Sequence, residues 1–343
     1  MIVDLIKKCV FSPKLPREIV LEITSRCNLH CQFCFNKAYI QDRNCVEELS
    51  TRQIKTIIDI VSDSEASIIR FTGGEPLLRN DIIELMQYAH DQGLKVWLNT
   101  NATLIQRAEA RAIAKYVQNV LVPLNAYDRV SELKISHEDV FKRKLKGIKF
   151  LQQFEVPHVR CGTVATKENI INLEKIFALV KRLKLSNWEV FREMPLPGKV
   201  SDISHQDMAV LVNKLIKINS QERKRYLIVN ALPFCVYDPE KVSQVALGAV
   251  VDDGHSRFVI DAAGNAKPMY YLNEFIGDIF TSSVDAIWQA RFMQDMRNLK
   301  FVPVVCRKCF YLKKCKGGSR FAAKTAYGDY VQADPLAQPQ RLR

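Results

Sequence analysis

The 343-residue sequence contains no apolar run long enough to cross a membrane, and its first 17 residues contain no signal-peptide core. We therefore expect a cytoplasmic protein with no membrane partner. The sequence also lacks internal repeats, low-complexity tracts, a helix-turn-helix and any RNA-binding signature. A nucleic-acid partner is thus not expected, despite a formal net charge of +13. What is present is ten cysteines, which in a reducing compartment are metal ligands and free thiols more often than disulfides.

From residue 17 onward, strand patterns alternate with helix patterns. The predicted strands cover 18–24, 67–72, 94–99, 119–124, 157–165 and 188–192. The predicted helices begin near 50 and then cover 80–92, 103–116, 140–154 and 170–183. Six strand–helix units in series predict a parallel sheet with right-handed crossovers. The expected fold class is α/β, a partial (βα)6 TIM-type barrel rather than a flat doubly wound sheet.

The pattern changes after Pro195-Leu-Pro-Gly198. A helix at 205–219, a hairpin of 258–261 with 266–270, a helix near 283–298 and a cysteine-rich end follow. We predict four segments: an N-terminal extension (1–16), the barrel (17–194), a bridging segment (195–250) and a small C-terminal α+β module (251–343).

Three cysteines, Cys27, Cys31 and Cys34, lie within eight residues directly after the first predicted strand. Three thiolates can hold one side of a [4Fe–4S] cluster, which normally takes four cysteines, so one iron is left open to a ligand that is not protein. The alternative is a zinc knuckle, but no second Cys/His pair follows between His30 and Cys45.

Unusual residues follow the next strands as well, where barrels bind their ligands. Gly73-Gly74-Glu75-Pro76 follows the second strand. Paired glycines let a backbone approach a ligand closely, and Glu75 could accept hydrogen bonds from an ammonium group. Asn99, Asn101 and Asn125 follow the third and fourth strands and carry carboxamides that suit ribose hydroxyls.

Cys-x3-Cys-x2-Cys with Phe33 before the last cysteine, followed by Gly-Gly-Glu-Pro after the next strand, resembles the radical S-adenosylmethionine (radical SAM) superfamily. The resemblance covers residues 17–192. It implies that Cys27, Cys31 and Cys34 hold a [4Fe–4S] cluster whose free iron binds SAM. It further implies that Gly73, Gly74 and Glu75 hold the methionine end of SAM, and that Phe33 lies near the adenine.

A second group, Cys306-x2-Cys309-x5-Cys315, resembles the C-terminal auxiliary-cluster module called SPASM. The chain has Ser319, Met269 and Leu336 where that module has cysteines. Two auxiliary clusters are therefore not expected. One auxiliary [4Fe–4S] cluster is expected if Cys235 supplies the fourth ligand. The module would then be a shortened, twitch-like variant. Zinc on the same four thiolates and a three-cysteine cluster open to substrate are the alternatives.

Two further predictions concern an electron-donor partner and a hydrogen-atom donor. Between Arg297 and Lys324 the chain has nine basic residues and no acid, which suits an acidic electron donor such as flavodoxin or ferredoxin, or merely offsets cluster charge. Cys161, on the fifth strand, is a weak candidate for a hydrogen-atom donor, and a simply buried thiol is the commoner reading.

The resemblance implies an enzyme that cleaves SAM to a 5′-deoxyadenosyl radical and abstracts hydrogen from a substrate. A peptide or peptide-derived precursor is the first expectation, because the module resembles that of peptide maturases. A small-molecule (sugar, polyol or nucleotide) dehydrogenase or epimerase is the alternative. A non-catalytic iron–sulfur carrier or scaffold is the third, and the intact Gly73-Gly74-Glu75 argues against it.

Overall fold

The computed structural model describes residues 14–35, 48–196, 201–250, 254–270 and 274–342. In these ranges, no helix is long and apolar enough to span a membrane.

One ten-stranded sheet organises the molecule. Its strands are β1 Glu18–Glu22, β2 Ile68–Thr72, β3 Lys95–Asn99, β4 Val117–Pro123, β5 His158–Ala165, β6 Asn187–Arg192, β7 Leu227–Ile228, β8 Arg257–Ile260, β9 Asn265–Lys267 and β10 Gly277–Asp278. Their order in space is β10-β9-β8-β1-β2-β3-β4-β5-β6-β7. Strands β1 to β7 run parallel, β8 joins the far side of β1 in parallel, and β9 and β10 are antiparallel to their neighbours. The sheet is not closed.

Twelve α-helices are described. They are α1 Thr51–Ser62, α2 Ile82–Asp91, α3 Arg107–Tyr116, α4 Arg129–Ser136, α5 Phe141–Gln153, α6 Leu173–Arg182, α7 His205–Ser220, α8 Pro239–Val245, α9 Val284–Trp288, α10 Arg291–Arg297, α11 Leu312–Cys315 and α12 Arg320–Tyr327. The parallel strands alternate with helices, as the βα pattern predicts, and α1 begins at a capping box made by Ser50 and Gln53.

The predicted α/β class and open parallel sheet are confirmed, and all six predicted barrel strands are present within about two residues. Three features differ. Helix α4 was not predicted, and the single helix expected at 283–298 is two, α9 and α10, which meet at Gln289 and Ala290. The hairpin was predicted, but its position beside β1 was not, because pairing between residues 239 positions apart, such as Glu18 and Arg257, leaves no local signal in the sequence. The segment boundaries at 194 and 250 stay a prediction.

The two faces of the sheet differ in chemistry. One face, packed against the helices, is apolar and fully buried; it includes Ile19, Phe71, Leu98, Val120 and Val190. Because side chains alternate along a strand, the intervening residues point to the other face. We call this second face the interior face. Besides buried apolar residues such as Val20 and Val259, it carries charged, amide and indole side chains: Glu18, Arg70, Trp97, Asn119, Arg160, Glu189 and Arg257.

A buried ion pair joins the C-terminal segment to the sheet. The Arg192 guanidinium, at the end of β6, donates from Nη1 and Nη2 to the Asp334 carboxylate at 2.9 and 2.7 Å. Asp334 Oδ2 also accepts from the Ser319 backbone N–H at 2.7 Å. Both charged side chains are almost fully buried. The start of α12 and the chain after it are therefore fixed on the end of β6.

Asp334→Asn should lower the free energy of unfolding by about 3–5 kcal/mol, because a buried guanidinium loses its counter-charge. The matched control is Asp139→Asn in the exposed pair Arg129–Asp139, which solvent screens, so this variant should lower the free energy of unfolding far less. Urea denaturation followed by circular dichroism measures both. Equal costs for the two variants would contradict the role given to the buried pair.

Candidate active site

The three clustered cysteines lie in the loop after β1, at the carboxyl edge of the sheet. All three are half-buried. Burial raises the pKa of the Cys31 thiol to about 12, and the nearby Cys34 and Cys27 raise it further, so the three sulfurs face one another's charge. Three thiolates this close together repel one another. A cationic metal centre offsets that repulsion and keeps the cysteines deprotonated, as ligand binding requires. The residues present therefore fit a cluster with three protein ligands.

The cysteine loop is fastened to helix α4, the element that the sequence did not reveal. Gln32 donates from its backbone N–H to the Ile135 carbonyl at 3.2 Å and from Nε2 to the Lys134 carbonyl at 2.7 Å. Within the loop, the Cys34 N–H donates to the Cys31 carbonyl at 3.2 Å. Helix α4 thus holds the middle of the loop, and the turn brings Cys31 and Cys34 together.

The paired glycines lie against the backbone that leads into this loop. The Gly74 N–H donates to the Thr24 carbonyl at 2.8 Å, and the Glu75 N–H donates to the Arg26 carbonyl at 2.7 Å. A Cβ at Gly73 would overlap the Thr24 carbonyl oxygen, and a Cβ at Gly74 would overlap that of Arg26. Gly73 also has a φ of +134°, in the region that glycine tolerates. Glycine is needed here for close approach to the cysteine loop as well as to any ligand.

Glu75 ties the second and third strand-end loops together. Its Oε1 accepts from the Thr100 hydroxyl at 2.7 Å and from the Leu77 N–H at 3.1 Å, and Oε2 accepts from the Asn101 N–H at 2.7 Å. The side chain is almost fully buried, and burial raises its pKa to about 7. An ammonium group beside it would favour the carboxylate form.

The predicted carboxamides have three different environments. Asn101 donates to Asn28 Oδ1 at 2.9 Å and accepts from Thr103, and so reaches back to the residue after Cys27. Asn99 is half-buried on the interior face and accepts from Arg70 at 2.9 Å. Asn125 is buried, and its Oδ1 accepts from the Val164 N–H at 2.8 Å, so its visible role is to join the loop after β4 to strand β5.

Phe33 is half-buried within the cysteine loop. Its neighbour Phe35 packs on Tyr270, with ring centroids 5.5 Å apart. Below this contact, Lys267 of β9 donates to the Glu22 carboxylate at 2.7 Å at the end of β1. The C-terminal hairpin therefore borders the same edge of the sheet as the three cysteines.

The comparisons with known proteins agree with this geometry. Residues 21–182, which contain the three cysteines and the glycine pair, match the family model of the radical SAM superfamily. These residues form a radical SAM domain. Members of this superfamily use a [4Fe–4S] cluster and SAM.

Three curated relatives match almost the whole length of the chain, including this radical SAM domain. The AdoMet-dependent heme synthase of Nitratidesulfovibrio vulgaris is 25% identical, over 94% of this chain and 93% of the relative. The Fe-coproporphyrin III synthase of Methanosarcina barkeri is 25% identical, over 95% and 88%. The PqqA peptide cyclase of Bradyrhizobium diazoefficiens is 25% identical, over 94% and 86%.

A solved structure has the same fold. Streptococcus suis SuiB bound to its precursor peptide SuiA superposes with a TM-score of 0.77 and 18% identity, over 98% of this chain and 79% of SuiB.

The second group of cysteines also comes together in space. Cys235 lies in the 3-10 turn Phe234–Val236, Cys306 and Cys309 lie on a tight turn, and Cys315 ends α11. Burial raises the pKa of Cys235 to about 12, and charges on Cys315 and Cys306 raise it further. Burial raises the pKa of Cys306 to about 11, with Cys315 and Cys309 contributing. The Phe234 N–H donates to Cys315 Sγ at 3.5 Å, and the Gln338 N–H donates to Cys235 Sγ at 3.3 Å.

A single zinc ion would require four sulfurs within about 2.3 Å of one point. Among the described residues, no three His, Cys, Asp or Glu side chains are arranged to hold one metal ion.

The three positions where the SPASM module has further cysteines serve other purposes here. Ser319 caps α12 by accepting from the Ala322 N–H at 3.2 Å. Met269 is buried in a small apolar cluster with Met296, Phe321 and Tyr330. The Leu336 N–H donates to Asp334 Oδ1 at 3.0 Å. A helix cap, a side-chain core and a hydrogen-bonded turn thus stand where thiolates would.

Cys161 does not line the interior face. It is fully buried in the core between the sheet and the helices, on the face of β5 opposite to Arg160 and Gly162. Cys161 is therefore a buried thiol, and the structure does not place it where it could donate a hydrogen atom to a substrate on the interior face. Burial raises the pKa of this thiol to about 12.

The charges of the interior face were missed in the sequence. Arg70 pairs with Glu18, and Arg160 pairs with Glu189, each inside the sheet. The available signal was a charged residue at the third position of an otherwise apolar strand, as in Ile-Ile-Arg70-Phe and His-Val-Arg160-Cys. Strand propensity does not predict a role for such a residue, because only the register of the folded strands shows that these charges lie close together.

Gly74→Ala should displace the cysteine loop, because its Cβ would overlap the Arg26 carbonyl oxygen. We expect a loss of about four irons per chain after anaerobic reconstitution and no detectable SAM binding. Iron analysis and equilibrium dialysis with labelled SAM measure these. Gly93→Ala is the matched control: it has a φ of +82° with no atom within 4 Å of a Cβ, so it should cost about 1 kcal/mol in stability and keep its iron. Full iron content and SAM binding in Gly74→Ala would refute the argument.

Proposed function

We propose that Cys27, Cys31 and Cys34 hold the [4Fe–4S] cluster, and that the loop Gly73-Gly74-Glu75 holds the methionine end of SAM. The supporting observation is the direct contact between these two loops, through the Gly74–Thr24 and Glu75–Arg26 hydrogen bonds. Phe33 lies on the cysteine loop, and Asn101 lies on the loop after β3, which its hydrogen bond to Glu75 joins to the glycine loop. Both are proposed to contact the adenosine. Asn99 is a further candidate because it is half-buried on the interior face, whereas the Asn125 carboxamide oxygen already accepts from the Val164 backbone.

When bound, the cluster supplies the electron that splits SAM into methionine and the 5′-deoxyadenosyl radical, which abstracts a hydrogen atom from the substrate. The chain's own residues orient SAM and keep water from the interior. Glu75 is the buried acceptor for the ammonium group, since burial raises its pKa to about 7 and a neighbouring cation would favour the carboxylate form. Helix α4 fixes the cysteine loop during the reaction through Lys134 and Ile135.

We further propose a second, auxiliary [4Fe–4S] cluster on Cys235, Cys306, Cys309 and Cys315. The mutual proximity of the four thiols and the two backbone N–H donors to sulfur support it, since such donors stabilise cluster ligands. A cluster with four protein ligands would relay electrons rather than bind substrate. Zinc on the same thiolates is the alternative that the iron count below tests.

The surface around Cys309 suits an acidic electron donor of the flavodoxin or ferredoxin type. Val304, Val305 and Phe310 are exposed next to the half-buried Cys309, with Phe310 91% exposed. Arg307, Lys308 and Lys313 surround them and are exposed too. An apolar patch with a basic rim at the nearest surface point of a redox centre favours an acidic partner. Other members of the basic run are held by the fold: Lys300 by Asp295, and Arg320 by backbone carbonyls.

The substrate class that the comparisons support first is a peptide. PqqA peptide cyclase aligns along nearly the full chain, and SuiB shares the fold with its precursor peptide bound. A porphyrin acid is the second candidate, because heme synthase and Fe-coproporphyrin III synthase align over at least as much of the chain.

Reconstituted protein given SAM and dithionite should release 5′-deoxyadenosine and methionine in equal amounts. Cys27→Ala with Cys31→Ala should abolish the release, because two of three cluster ligands are lost. Cys161→Ala, a buried thiol away from the site, should retain it. Liquid chromatography with mass detection provides the measurement, and wild-type protein with full iron content that leaves SAM intact would exclude this function.

Iron analysis should give about eight irons per chain in wild type and about four in Cys306→Ala with Cys309→Ala, because each cluster holds four. The matched variant, Cys27→Ala with Cys31→Ala, should also fall to about four, while only the first variant pair keeps SAM binding. Four irons together with one zinc in wild type would identify the second site as a zinc site.

A further inference from the structure

The interior face carries buried charges of both signs. Arg70 and Arg160 stand beside the carboxylates of Glu18 and Glu189, and all four side chains are buried or nearly so. Arg257 also reaches Glu18, and Lys267 pairs with Glu22 at the edge of the sheet. Buried charges are normally matched, because an unmatched charge is costly in a low-dielectric environment. Arg70 and Arg160 have such counter-charges, so their remaining hydrogen-bond donors are the feature that needs an explanation.

Two of the guanidinium groups have hydrogen-bonding capacity left. Arg160 donates from Nε to Asn119 Oδ1 at 2.6 Å and from Nη1 to Glu189, whereas its buried Nη2 has no hydrogen-bond partner among the described residues. Arg70 donates from Nε to Glu18 and from Nη1 to Asn99 Oδ1 at 2.9 Å. A buried donor without an acceptor costs free energy, so it marks a place where an acceptor is expected.

Both guanidinium groups stack on one indole. The Arg70 Cζ lies 4.7 Å and the Arg160 Cζ 5.3 Å from the centroid of the Trp97 ring. Burial lowers the pKa of Arg160, and the Arg70 charge lowers it further, so the two cations are close enough to repel each other. Stacking on Trp97 and pairing with Glu18 and Glu189 hold them together against that repulsion.

The position of this group relates it to the candidate active site. On each strand, the next residue on the same face lies two positions later and nearer the carboxyl edge. Thr72 follows Arg70 in this way, Asn99 follows Trp97, Gly162 follows Arg160, and Phe191 follows Glu189. Asn99 and Phe191 are half-buried, and Gly162 has no side chain. The guanidinium pair thus lies one layer beneath the sheet edge that carries the cysteine loop.

We propose that Arg70 and Arg160, stacked on Trp97, form a carboxylate-binding site that positions the substrate beneath SAM. The chemical class is a carboxylic acid: an acidic side chain or terminus of a peptide, or a propionate of a porphyrin. Guanidinium groups bind carboxylates in a planar, two-point geometry, which fixes orientation as well as position. This inference rests on the proposed function, since it assigns the substrate group that the same site recognises.

Isothermal titration of reconstituted, SAM-loaded protein tests the site directly. One arm uses a glutamate-containing peptide and its glutamine counterpart, and the other uses Fe-coproporphyrin III and its methyl ester. In the arm that matches the substrate, we expect the acid to bind at least about tenfold more tightly than its neutral counterpart, because a charge-assisted hydrogen bond is lost. Equal binding of acid and neutral forms, or no binding of either acid, would overturn the proposal.

The variants Arg160→Lys and Arg70→Lys keep the charge beside Glu189 and Glu18 but lose the planar fork. Each should weaken the acid at least about tenfold and leave the neutral form unchanged. Arg297→Lys is the matched control, because Arg297 also stacks on an indole, Trp288, at 4.4 Å but lies in α10. A parallel loss for acid and neutral probes would indicate a merely structural role and refute the site. Release of 5′-deoxyadenosine, measured without substrate, reports the proposed function separately.

Discussion

The close approach of two backbones at the carboxyl edge of the sheet is the constraint on which the candidate site depends. The N–H groups of Gly74 and Glu75 bond to the carbonyls of Thr24 and Arg26, immediately before Cys27. A single β-carbon at Gly73 or Gly74 would overlap these carbonyl oxygens and push the two loops apart. The loop that carries the cysteines and the loop proposed to hold SAM are thereby one rigid unit, with Glu75 extending it to the third strand end through Thr100 and Asn101. Pre-organisation of this kind lets a site hold a reactive cofactor without first ordering itself.

The C-terminal part of the chain completes this unit instead of forming a separate lobe. Strand β8 extends the sheet on the far side of β1, and Tyr270, just beyond β9, packs on Phe35 of the cysteine loop. Farther along the same carboxyl edge, at the end of β6, Asp334 binds Arg192 in a fully buried pair. The Asp334 carboxylate also accepts a hydrogen bond from the N–H of Ser319, which stands at a position where the SPASM module has a cysteine. A contact that fixes the C-terminal segment on the sheet thus stands where the SPASM module has a cysteine.

Local patterns in the sequence predicted the elements and the motif cysteines well. Alternating strand and helix signals located the six barrel strands, because each has its own apolar period and its own turn residues. The cysteine spacing and Gly73-Gly74-Glu75 indicated the candidate site for the same reason, since both are short and contiguous. What could not be predicted is non-local. Helix α4 has a polar sequence whose role is to hold Gln32. Cys161 was open to either face of β5 until the register of the strand was known, and the converging charges of Arg70 and Arg160 are 90 residues apart.

The distribution of apolar residues explains why the interior face can bear such charges. Nearly all of the large aliphatic core lies between the sheet and the helices, where Ile19, Phe71, Val120 and Val190 are fully buried. Hydrophobic stabilisation grows with buried apolar area, so that layer supports the fold without help from the other face. The interior face is then free to hold guanidinium groups that reduce stability when empty and gain a partner when an acid binds. A stable outer layer and a charged inner one are two consequences of the same alternation of side chains along each strand.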